Sequence, residues 1–88
     1  MIEVTVQPNG RRGETPMRIA LCGYSMERGK NVVIVEVADA GTARRHFWAK
    51  RVSESGRATG LTWSRWIAER EAAGYEVIYQ PAQTAKAA

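Results

Sequence analysis

Cysteine, histidine and proline are scarce in this chain, with one, one and three copies among 88 residues. A single cysteine, Cys22, can close no intramolecular disulfide, and a lone free thiol fits a reducing, cytoplasmic setting. Cys22 itself reads as a small buried apolar side chain. One cysteine and one histidine, His46, cannot supply the three or four ligands of a zinc site, so no metal or other cofactor is expected. No stretch approaches the ~20 apolar residues of a membrane span. The opening MIEVTVQPNG carries an acid at Glu3 and no apolar core, so it does not read as a signal peptide.

Catalytic pairings are equally thin. His46 is the only imidazole, and it reads as a polar residue in a basic stretch rather than a base beside a nucleophile. Glu69 and Glu71 lie two apart on an expected helix, so they face different directions and form no acid/base pair. Gly23 to Asn31 superficially resembles a phosphate loop. It has five residues between its glycines instead of four, an asparagine after the lysine, and a strand rather than a helix behind it. The reading is therefore of a non-enzymatic protein.

What is present is the composition of a folded domain: 44% apolar and 25% charged residues. Residues 1–80 are expected to form one α+β domain, and 81–88 a disordered tail. Ile2, Val4 and Val6 alternate with polar residues, as do Met17, Ile19 and Leu21, and each run reads as a half-buried strand. Val32 to Val37 is apolar on both faces and suits a central strand. Asp39-Ala40-Gly41 reads as a turn into a fourth strand over 43–52, with 53–60 a loop. Thr62 is an N-cap for a helix carrying Trp63, Trp66 and Ile67 on one face, and Gly74 ends it. Tyr75, Val77 and Tyr79 then alternate as a last strand. The expected fold is a small, mainly antiparallel β-β-β-β-α-β sheet. Its one helix covers one face, and if the last strand joins the sheet parallel to the fourth, that helix is a right-handed crossover.

Charge is the informative feature. The formal net charge is +4, and the stretch from Thr42 to Arg57 carries all of it, with five basic residues against Glu54. Basic groups interleaved with aromatics are the ingredients of single-strand recognition, because cations neutralise phosphates and flat rings stack on bases. The expected surface is Arg44, Arg45, Lys50, Arg51 and Arg57 on phosphates, with Trp48 or Phe47 as the stacking platform. Arg11 and Arg12 on an adjacent loop would extend it. The expected partner is nucleic acid, single-stranded DNA or RNA before duplex, or an acidic surface on a nucleic-acid-handling protein. The bland alternative is that Phe47 and Trp48 pack and the arginines are a solvated face. A functional alternative of another class is a stoichiometric inhibitor or adaptor of the phage or plasmid type, which binds a host protein. A helix face of Trp63, Trp66 and Ile67 left partly bare would serve a partner or a second copy in a homodimer.

Overall fold

A computed structural model describes residues 1–7, 17–37 and 39–81. The loop carrying Arg11 and Arg12, and the tail beyond residue 81, lie outside the described residues. Six strands and two helices follow in the order β1 (Ile2–Val6), β2 (Met17–Ser25), β3 (Lys30–Val35), α1 (Ala40–Phe47), β4 (Arg51–Glu54), β5 (Arg57–Thr62), α2 (Trp63–Ala72) and β6 (Glu76–Tyr79). They build one α+β unit around a mixed sheet of order β5-β4-β1-β2-β3-β6. The pairings are antiparallel except β3 with β6, which run parallel. Among the described residues no helix is long and apolar enough to cross a membrane.

Period-2 alternation placed β1, β2 and β6, and an apolar run on both faces placed β3; each has one face against the helices. Val4 and Val6 of β1, Cys22 of β2, Val33 and Val35 of β3 and Val52 of β4 are buried on that face. Ala43 and Phe47 of α1 and Trp63 and Trp66 of α2 close over them. The aromatic rings carry much of this layer. Trp63 stacks on Trp66 at 5.7 Å with 19° between planes, and Phe47 meets Trp63 edge-on at 6.1 Å.

The segment 40–52 corrects the sequence reading. In place of a strand over 43–52 there is α1 over 40–47, then a short connection and β4. A strand would have put Arg45 and Arg51 on the same face as Phe47. Helical spacing instead turns Ala43 and Phe47 inward and leaves Arg44, Arg45 and His46 outside. Asp39, expected in a turn, is the N-cap. Its Oδ2 accepts from Thr42 N at 2.9 Å and Thr42 Oγ1 at 2.7 Å, which fixes the first turn and holds the Asp39 carboxyl below its ordinary pKa.

The stretch 53–60, expected as a loop, is a hairpin. Ser55 and Gly56 both take positive φ, 50° and 83°, the sense of a type I′ turn that matches the twist of the strands it joins. The last strand pairs with β3 rather than with the fourth strand, so the chain between β3 and β6 carries α1, the β4–β5 hairpin and α2. The end of α2 is as the sequence predicts: Thr62 caps it, and Gly74 sits at φ 96° just beyond.

Candidate functional site

Two helices that share one core leave a groove between their outer edges. Arg44 and Trp48, four residues apart, stand on the α1 side. Thr62, Ser64, Ile67, Ala68 and Glu71 line the opposing edge of α2, with Arg65 beside them, Trp63 beneath and Tyr79 of β6 at one side. The groove encloses about 430 Å³, within the ~300–1,000 Å³ range of ligand clefts.

Backbone hydrogen bonds hold its near end. Lys50 N donates to Phe47 O at 2.9 Å, Trp63 N to Lys50 O at 2.8 Å, and Ser64 N to Trp48 O at 3.2 Å. Arg65 N donates to the cap oxygen of Thr62 at 3.4 Å. The first N–H groups of α2 are thus already satisfied, so an anion in the groove would be met by side chains rather than by the helix terminus. Trp48 is pinned by its backbone while its indole stays 60% exposed. Arg44 and Arg65 supply positive charge, Arg65 while paired with Glu69 at 3.7 Å, and Glu71 lines the groove as a negative group. Burial pushes the Tyr79 hydroxyl pKa up; Arg44 opposes that shift and Glu71 adds to it, so both charges act on this end of the groove.

The fold brings together only part of the basic surface expected from sequence. Arg44 and Trp48 share the groove. Arg45 lies back toward the start of α1, near Asp39, and lowers its pKa. Lys50 is half-buried in the α1–β4 connection. Arg51 spends one guanidinium nitrogen on Gly60 O at 2.9 Å, tying down the outer strand. Arg57 is exposed at the start of β5, next to the hairpin turn. Phe47 is buried and offers no stacking surface. His46 is exposed and meets the Phe47 ring edge-on at 5.1 Å.

Arg65, Glu71 and Tyr79 were missed. For Glu71 a signal was present, since 64, 67, 68 and 71 recur at helical spacing on the flank of α2 beside the face that carries its two buried tryptophans. Without α1 there was no second wall to make that flank a site. Among the described residues no three or more His, Cys, Asp or Glu side chains converge as a metal site would require. No protein-family model, curated protein or solved structure matches the chain.

Proposed function

We propose that this protein is a non-enzymatic binding module for single-stranded nucleic acid, and that the α1–α2 groove is where it binds. The observation that carries the reading is the Trp48 indole, 60% exposed beside a groove flanked by Arg44 and Arg65. An aromatic ring of this size is normally buried or partnered. Left bare between two guanidinium groups, it offers a base a stacking surface worth about 1–3 kcal/mol and its phosphates two cations. Unpaired strands present free base faces; a duplex hides them in its stack, so single strands are the preferred ligand.

Trp63 and Trp66 are buried, so a base stacking on Trp48 would quench chiefly the exposed indole. The test is a fluorescence titration with single-stranded DNA, RNA and duplex DNA at low and physiological salt. Expected are quenching by single strands, weakening with salt, and loss of binding in Trp48→Ala and in Arg44→Ala/Arg65→Ala, with the circular dichroism spectrum unchanged. Absence of binding at low salt refutes the reading. A protein partner is the second reading, favoured by Glu71 and Ile67 in the same groove, because Trp, Tyr and Arg around an apolar floor also make a protein hot spot.

A further inference from the structure

A carboxylate that lines a groove for a polyanion opposes the ligand unless it receives hydrogen bonds. Glu71 is such a group. The polar contacts of α2 run elsewhere: Arg65 pairs with Glu69 at 3.7 Å, and the Trp66 Nε1–H binds Glu54 at 2.7 Å. Among the described residues no cation pairs with the Glu71 carboxylate, so both its oxygens can accept from a ligand.

Tyr79 stands at the same end of the groove. It pairs with Val35 on the face of the sheet that the helices cover, and its ring packs against the core. Burial raises its hydroxyl pKa, against Arg44 and with Glu71, so the group stays protonated and able to donate at neutral pH. Side chains lean toward the start of their helix. Trp48, at the end of α1, therefore leans along the groove toward Arg44, and Glu71 leans back toward Ile67. The indole and the carboxylate converge on the groove from opposite ends.

One donor beside two acceptors matches one base edge. The Watson–Crick edge of guanine presents an acceptor, O6, and then two donors, N1–H and N2–H. Adenine and cytosine each present a single amino group beside acceptors, and thymine and uracil a single N–H between two acceptors. Only guanine gives a carboxylate two parallel donors. We infer that the groove selects guanine from a single strand. The base stacks on Trp48, the Tyr79 hydroxyl donates to O6, and the two carboxylate oxygens of Glu71 accept from N1–H and N2–H. Arg44 and Arg65 remain for the flanking phosphates, and about 430 Å³ is space for one base with its sugar. The inference rests on the single-strand reading and names the base that this site takes.

Fluorescence anisotropy of end-labelled thymidine strands tests it, with the central base left as thymine or replaced by guanine, adenine, cytosine or hypoxanthine. The guanine strand should bind about tenfold or more tightly than the thymine, adenine and cytosine strands, as a bidentate base contact gives. Hypoxanthine keeps O6 and N1–H but lacks the N2 amine, and should fall several-fold below guanine. Glu71→Gln should move two strands in opposite directions. The guanine strand weakens because one acceptor is lost, and the thymine strand tightens because a negative charge leaves the groove. A Glu71 that only supports the fold would shift both together. Tyr79→Phe keeps the ring and should lower the preference, and circular dichroism confirms the fold of each variant. Equal affinity across the five bases, or a preference that survives Glu71→Gln, overturns the inference and leaves single-strand binding standing. A uridine strand favoured over thymidine, with the advantage lost in Glu71→Gln, would assign the carboxylate to the ribose 2′-hydroxyl and overturn it too. No binding of any strand at low salt overturns this inference and the single-strand reading together.

Discussion

Replacing Trp66 with phenylalanine tests how the fold holds the inner side of the groove's α2 wall. Trp66 is 1% exposed, stacks on Trp63, and donates its Nε1–H to Glu54 Oε2 at 2.7 Å. That bond ties α2 to the end of β4. Phenylalanine keeps a ring but removes the donor and half of the indole. A hydrogen bond to a charged acceptor contributes about 1.5–3 kcal/mol. The space left by the smaller ring adds about 1 kcal/mol. The expected loss is therefore about 3 kcal/mol, against a total of roughly 4–13 kcal/mol for a chain of this length. Trp66→Phe should remain folded at 25 °C but melt about 10–20 °C lower. A urea-denaturation cycle with Glu54→Ala and the double variant isolates the bond, because the double variant no longer holds an unpaired group. Coupling of at least 1 kcal/mol is expected. A value below about 0.5 kcal/mol, the range of independent sites, would mean that the tryptophan acts by volume alone and would refute the argument.

Phe47→Ala and Trp48→Ala, neighbours in sequence, should separate folding from binding. The first empties a buried position and should cost about 3–5 kcal/mol, whereas the second removes an exposed ring and should leave Tm within a few degrees. Equal thermal losses would show that Trp48 packs. Asp39 and Glu76 predict acid sensitivity. The Thr42 hydrogen bonds hold the Asp39 carboxyl below its ordinary value, and Lys30, with help from Arg28, does the same for Glu76. Each group therefore stabilises the fold above the ordinary carboxyl range near pH ~4, and that contribution disappears as pH falls through the lower folded-state value. Asp39→Asn/Glu76→Gln should flatten the acid limb of the urea midpoint between about pH 5 and 2; an unchanged limb refutes the assignment.

Much of the sheet was legible because burial on one face writes itself as alternation in β1, β2 and β6, while β3 was legible as a run apolar on both faces. The cap and stop of α2 were legible because Thr62 and Gly74 do local work that any helix end needs. The stretch 40–52 was not. Its charged residues fall on both faces of a strand, yet Arg44, Phe47 and Trp48 also fit a helix, and choosing between periods of 2 and 3.6 required knowing that Asp39 was a cap rather than a turn residue. The β4–β5 turn was obscured because Ser55 takes a positive φ without being glycine or asparagine. Strand order lay beyond the sequence, since β1 pairs with β4 across more than forty residues.

That misread period changes what the charge means. Read as a strand over 43–52 with Arg57 on the loop behind it, this stretch offers five cations to one phosphate backbone. In the folded chain those cations scatter: Arg44 at the groove, Arg45 beside Asp39, Lys50 in a connection, Arg51 on Gly60 and Arg57 near the hairpin turn. Only Arg44, joined by Arg65 from outside the stretch, flanks the exposed indole. For single strands log K falls with log salt at about 0.7 per neutralised phosphate. Two groove arginines therefore predict a slope near −1.4, and five cations acting together one near −3.5. A measured slope near −1.4 that falls by about half in Arg65→Ala, and is indifferent to Arg57→Ala, fits the groove. A slope near −3.5 that loses steepness in Arg57→Ala and not in Arg65→Ala would mean that the strand runs along the sequence rather than through the groove, and the placement of the site would be wrong.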